Sequence, residues 1–318
     1  MVAAQPLPTE LQPEATALEP LHALLERLSR LSVEKHFDAY ADIAWNDPEF
    51  AVDPDDLRWE LLPVDPLYHT AWYRALTPQV RAQIGLYRLC AAMKTGWQFE
   101  NVLQRGLLEF VTTLPNQSPE FRYVHHEIIE ESQHTLMFQE LVDRSRLPIR
   151  GLAAIWRFLA LVLVLPASRL SPPLFFFFVL GGEDPIDHLQ RQLLQAGLKH
   201  PLAARIMRIH VTEEARHLSF AREFLRREVP KLHPLRQKAL SVAVPLLLGI
   251  MTRLMLQPPR ELQQRFRMPR AVAQEVRTST HGRALQRDSV AKPRQLCEDL
   301  GLMNPLSRQI WRAFGMQA

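Results

Sequence analysis

Apolar residues recur at helical spacing along this chain from Gln79 onward, in long segments that prolines separate. The first segment runs from about Pro78 to Thr112. The second follows the start signal Ser118-Pro119-Glu120 and continues to about Arg144. A third, from Pro201 to about Arg227, opens on proline at a first-turn position and stops before Pro230. A fourth runs from Pro234 to about Leu256. Alternating strand-like runs between Gly/Asn turns are missing, so the pattern predicts an all-α core.

Two stretches depart from that rhythm. Leu152 to Gly182 is strongly apolar and includes Phe175-Phe176-Phe177-Phe178. A membrane span needs about 20 uninterrupted apolar residues. Here Arg157, Arg169 and prolines 166, 172 and 173 divide the run, which predicts two buried helices. Ahead of the helical core, a helix is expected from about Ala15 to Leu31, then an irregular arm rich in Trp and Pro (Trp45, Trp59, Trp72). The expected organisation is an N-terminal helix and arm over 1–77, a helical core over 78–230, and an Arg-rich helical extension over 231–318 that packs on the core.

Composition removes several function classes. Glycine is scarce (11) and proline plentiful (25), and no GxGxxG, GxxxxGK[ST] or GxSxG occurs. Dinucleotide, P-loop and serine-hydrolase readings therefore lose their signatures. Cys90 and Cys297 stand far apart without a CxxC, which fits a reducing cytoplasm, and Met1 to Pro20 carries no Lys or Arg to suggest a leader. The net charge of +4 reflects arginines near the C-terminal end. Without interleaved aromatics these read as a solvated face, and no nucleic-acid partner is expected.

The informative residues are carboxylates and histidines inside the helices. One helix carries Glu130-Glu131-Ser132-Gln133-His134 and another Glu213-Glu214-Ala215-Arg216-His217. In both, the second Glu and the His are three residues apart, on one face of the helix. Ferritin-like di-metal bundles combine two such Glu-x-x-His pairs with one Glu from each of two other helices. Glu100 lies 31 residues before Glu131, and Glu183 lies 31 before Glu214. The same hairpin layout thus occurs twice. Four carboxylates neutralise two divalent cations, as burial among apolar helices requires. Mixed oxygen and imidazole donors suit iron or manganese, and the absence of thiolates argues against structural zinc. Glu130 and Glu213 point away from their neighbours and are expected to support a ligand histidine through its other ring nitrogen. Glu127, one turn before Glu131, is expected at the surface or in a similar supporting role. His210 shares a face with Glu214 and His217 and would add a third imidazole.

The combination His210-x-x-x-Glu214-x-x-His217 with Glu131-x-x-His134, Glu100 and Glu183 resembles the AurF-like family of arylamine N-oxygenases, the p-aminobenzoate N-oxygenase type. The resemblance covers roughly Pro78 to Arg227. It implies a ferritin-like four-helix di-iron bundle with extra helices and an arm, whose ligands would be Glu100, Glu131, His134, Glu183, His210, Glu214 and His217. It further implies two iron ions cycling between Fe2+ and Fe3+, with O2 as co-substrate. The substrate would be a small aromatic amine, oxidised through hydroxylamine and nitroso to nitro in secondary metabolism. Electrons would come from an external reductase or ferredoxin-type donor, and the chain would act as a cytoplasmic homodimer. Two other readings share these metals: hydroxylation at carbon, and non-catalytic iron binding or ferroxidase activity.

Overall fold

A computed structural model describes residues 21–317, and no strand occurs among the described residues. Helix α1 spans Leu21–Glu34, and after an arm of short 3-10 turns a single helical turn, α2, spans Ala71–Arg74. Two long helices follow, α3 (Pro78–Val111) and α4 (Pro119–Ser145). Short helices α5 (Ala154–Leu159) and α6 (Leu165–Leu170), joined through a π-helical turn, lead into α7 (Pro172–Gln195) and α8 (Pro201–Glu228). The chain closes with α9 (Pro234–Leu256), α10 (Arg260–Arg265), α11 (Arg270–Thr278), α12 (Thr280–Asp288), α13 (Ala291–Asp299) and α14 (Pro305–Ala313). The expected start of the first helix, residues 15–20, lies outside the described residues.

Proline sets the helix starts. It opens α3, α4, α7, α8 and α9, where its fixed φ suits the first turn and its missing N–H removes a donor that would have no partner there. The last turn of α4 is closed by Arg146 in the left-handed conformation (φ 54°). α3 packs on α4 and α7 on α8, while α1 lies on α4 and α8, and α9 covers α7.

The core divides into two apolar clusters separated by a polar layer. The N-terminal half of α3 (Ile84, Leu86, Cys90), the C-terminal half of α4 (Met137, Phe138, Leu141) and the start of α8 (Leu202, Ile206, Ile209) form one cluster with Trp45 and Trp59 of the arm. The C-terminal half of α3 (Leu103, Leu107, Phe110), the start of α4 (Tyr123, Val124), Phe175–Phe178 of α7 and the end of α8 (Phe220, Leu225) form the other. In α4 the change of cluster falls between Val124 and Met137, and in α8 between Ile209 and Leu218. Those intervals hold both Glu-x-x-His motifs. Buried Leu296 and Cys297 of α13 and Trp311 of α14 join the second cluster, so the C-terminal segment shares the bundle's own core.

The apolar stretch from Leu152 to Gly182 does not form two buried helices. Only α7 is buried. Helices α5 and α6, with the π turn between them, turn Ile155, Phe158, Leu163 and Leu170 to the outside. The difference is geometric: a six-residue helix on the flank of a bundle covers one side only, whatever its composition. The one stretch among the described residues long and apolar enough by composition to cross a membrane is instead Pro234–Arg265, and half of its apolar window is buried within the protein.

Candidate metal centre

Four helices deliver seven donors to the polar layer: Glu100 from α3, Glu131 and His134 from α4, Glu183 from α7, and His210, Glu214 and His217 from α8. None is more than 2% exposed. Three trios are compact enough to hold a metal ion, with donor atoms within 4.8 Å of one another: Glu100–His134–His210, Glu131–Glu214–His217 and Glu183–His210–Glu214. Among the described residues, these trios use the seven residues that sequence spacing singled out, and no others.

The two motifs brace each other across the helix pair. His134 directs Nδ1 toward Glu131 Oε2 and Glu214 Oε1, both at 3.5 Å, while its Nε2 lies 2.8 Å from Glu213 Oε2. His217 directs Nδ1 toward Glu131 Oε1 (3.0 Å) and Glu214 Oε1 (3.2 Å), while its Nε2 lies 2.8 Å from Glu130 Oε2. Each motif's first Glu therefore fixes the histidine of the other motif, leaving that ring's second nitrogen facing the centre. This is the hydrogen-bonding pattern that orients metal-binding imidazoles. His210 differs. Its Nε2 faces Glu100 and Glu214 at 3.7 Å and Glu183 at 4.0 Å, too far for hydrogen bonds, and Nδ1 has no partner.

The electrostatics follow from this crowding. Burial, reinforced by the neighbouring carboxylates, raises the Glu100 and Glu183 carboxyls well above their usual range. For Glu130, burial is outweighed by the His217 hydrogen bond and the Arg216 guanidinium, which bring it down to about 2. His134 and His217 are desolvated too, yet their carboxylate partners hold them well above the ordinary imidazole value. For His210, desolvation and the His134 and His217 imidazoles outweigh the Glu131 charge and hold it well below that value.

The donor set fits a pair of divalent cations. Both oxygens of Glu131, Glu183 Oε1, Glu214 Oε2 and Nδ1 of His134 and His210 are buried without any hydrogen-bond partner. Orphaned polar atoms at this density are costly unless a ligand satisfies them. Four carboxylates and three imidazoles converging on one buried spot supply the charge and the donors that two cations require.

Some features were not anticipated from the sequence. Arg216 is 4% exposed, with one Nη at 2.7 Å from Glu130 and 3.6 Å from Glu213 Oε1, so a buried guanidinium bridges the two bracing carboxylates. Its position within Glu-Glu-Ala-Arg-His was visible, but the other motif has Gln133 there and offers no matching signal. Glu127 is fully buried, which excludes the surface position considered for it. Both its oxygens lack partners, and burial raises it to about 8. The arm also reaches the centre: the Phe37 N–H donates to Glu213 Oε1 (3.2 Å) and the Ala39 N–H to Gln133 Oε1 (2.8 Å). A cavity of about 140 Å³ opens onto Glu100, Glu183 and His210, walled by Phe99, Phe138 and Met207.

Known proteins resemble this chain in sequence. The chain is 41% identical over 291 residues to uncharacterized proteins of Mycobacterium bovis and of two Mycobacterium tuberculosis strains, covering 91% of this chain and 85% of each relative. Residues 20–301 match the family described as p-aminobenzoate N-oxygenase AurF. That match takes in both hairpins, the arm and most of the C-terminal helices, and the chain belongs to the AurF family of p-aminobenzoate N-oxygenases.

Proposed function

We propose that this chain is a non-haem di-iron N-oxygenase that uses O2 to oxidise an aromatic amine to the hydroxylamine, nitroso or nitro level. The observation that supports it best is the set of seven buried donors whose outer nitrogens are already fixed by Glu130 and Glu213. Glu100, Glu131, His134, Glu183, His210, Glu214 and His217 are the ligands in this reading. When bound, a pair of ferrous ions supplies the electrons and Lewis acidity for reducing O2. Iron is the metal of this reading, and the same mixed oxygen and imidazole donors would also accept manganese.

The protein's own part is positional. Glu213 and Glu130 hold the Nε2 protons of His134 and His217, so that both Nδ1 lone pairs face the centre. Phe99 and Phe138 keep water from the face that opens into the cavity. The first stage balances as RNH2 + O2 + 2 electrons + 2 protons giving RNHOH + H2O. No flavin or iron–sulfur motif occurs in the sequence to supply the electrons, so an external reductase or ferredoxin-type donor completes the reading. The working unit is a cytoplasmic homodimer, and the activity serves nitro-group formation in secondary metabolism.

Anaerobic ferrous loading followed by elemental analysis tests the centre, with about two irons per chain expected from the charge balance. One zinc, or no metal after reconstitution, rejects it. Glu131→Ala and Glu214→Ala should each lose most of the iron, since each leaves buried cations undercompensated. Exposure of the loaded protein to O2, a reductant and a panel of arylamines then tests the reaction. Oxygen inserted at carbon rather than nitrogen overturns the N-oxygenase assignment while leaving the di-iron site in place.

A further inference from the structure

We infer that the cavity beside this centre takes an arylamine carrying no carboxylate, with an uncharged polar group at the far end that meets Gln190; this rests on the N-oxygenase reading above. The family's name carries an aminobenzoate, an anion at neutral pH. Burying such an anion demands a cation or several aligned donors in the wall.

The wall provides neither. The lining is largely apolar, with Met93, Phe99, Phe138, Ile186, Leu189 and Met207, and Thr95 adds a single hydroxyl rather than several aligned donors. Among the described residues, Arg58 and Arg88 are the two cations that line the cavity, and both are already neutralised. Arg58 is clamped by Asp56, with Nε and one Nη at 2.8 and 2.6 Å from Oδ2. The Arg88 Nε–H donates to Asp65, and its Nη donates to the Leu256 carbonyl at 2.7 Å. Glu60 and Glu261, which also line the cavity, are acids paired with Arg81 (3.3 Å) and Arg150 (3.8 Å) and offer a carboxylate no donor.

Gln190 provides the polar contact. It lies seven residues after Glu183 on α7, two turns along the same face and about 10 Å along the axis. It lines the cavity, is 3% exposed, and its Oε1 is buried without a hydrogen-bond partner. An amide oxygen that lacks a donor within an apolar wall is itself destabilising, and a substrate N–H or O–H that donates to it relieves it. A benzene ring with its amine at Glu100, Glu183 and His210 and a carboxamide or hydroxyl opposite spans most of the distance to Gln190.

The test uses the iron-loaded full chain under argon, so that binding is read without turnover. Dissociation constants are measured for p-aminobenzoate and for 4-aminobenzamide, its uncharged counterpart of nearly the same shape. The amide should bind at least 10-fold more tightly. Gln190→Leu should erase most of that advantage at unchanged iron content, and Gln190→Arg should turn the preference toward p-aminobenzoate. Equal or tighter binding of p-aminobenzoate by the native protein, or failure of both amines to bind, overturns the inference. A Gln190→Leu variant that keeps the full preference removes Gln190 from it. Selective amide binding without N-oxygenation on admitting O2 and reductant would leave this specificity standing and reject the N-oxygenase reading instead.

Discussion

Glu213 and His134 stand 79 residues apart on different helices, and Glu213 Oε2 lies 2.8 Å from His134 Nε2 with both side chains fully buried. The mirror pair, Glu130 and His217, repeats the contact at the same distance. An anionic acceptor at Nε2 fixes the proton there and raises the basicity of Nδ1 toward the centre. Replacing Glu213 by Gln keeps the shape and removes the charge. Ferrous affinity should fall about 10–100-fold in Glu213→Gln, with helical content unchanged. Glu130→Gln should do the same and also lower the melting temperature, because it takes the nearer of two carboxylates from the buried Arg216 guanidinium. Anaerobic ferrous titration checks both. Native affinity in either variant would reduce these contacts to packing.

His210 carries a different expectation because no carboxylate braces it. His210→Ala leaves the other six donors on their helices, and the four carboxylates still compensate two cations. The variant should fold and retain at least part of its iron, yet lose amine oxygenation, since one neutral nitrogen donor is replaced by an open position. Optical spectra after O2 exposure should differ from those of the native protein. Full N-oxygenation with unchanged spectra would make His210 an ordinary core histidine.

The helix frame was legible because prolines mark it: Pro78, Pro119, Pro201 and Pro234 are all first residues of helices. The seven donors were legible because a helix turns spacing into facing, so two Glu-x-x-His pairs at matched distance from two further glutamates imply one common spot. What spacing cannot carry is which partner a residue meets on another helix. Glu130 and Glu213 were expected to brace histidines, but the crossed pairing belongs to tertiary packing, as does the placing of Arg216 between them. Apolar content likewise says nothing of which side is covered, and Ile155 and Phe158 of α5 and Leu170 of α6 lie on the outside for that reason.

Gly85 illustrates how tightly the arm is laid on α3. A Cβ there would come 1.8 Å from the Trp59 carbonyl oxygen and 2.9 Å from its carbon. Alanine in a helix interior ordinarily gains about 1 kcal/mol over glycine. Here the obstacle is backbone, so no rotamer change relieves it and the arm must move. Gly85→Ala should therefore be destabilising, by about 1–3 kcal/mol. Because Arg58 and Glu60 flank Trp59 and line the cavity, the variant should also bind arylamines more weakly. The urea midpoint decides, and a stabilised Gly85→Ala would show that the arm yields freely.

His200 gives the fold a dependence on pH. Its ring stacks on Trp59 at 3.5 Å and 12°. Nε2 lies 3.3 Å from the Ala51 carbonyl oxygen, which requires the proton on Nε2, and Nδ1 is buried without a partner. A second proton would have to sit on Nδ1 with nothing to receive it. Burial, aided by the Arg58 charge, accordingly lowers this imidazole to about 4. Since the unfolded chain takes up the proton near pH 6.5, folding favours the neutral ring. The contribution is complete above pH 6.5 and declines as pH falls toward 4, by up to about 3 kcal/mol at 1.36 kcal/mol per unit. Below pH 4 both states are protonated and the loss levels off. His200→Phe keeps an aromatic ring against Trp59 and removes the titration. Urea midpoints measured from pH 7.5 to 4 should fall more steeply for the native protein than for the variant, and the two curves should separate mainly between pH 6.5 and 4. Parallel curves would mean that His200 is protonated at no cost in the folded chain, with Asp56, 3.8 Å from Nε2, as its counter-charge.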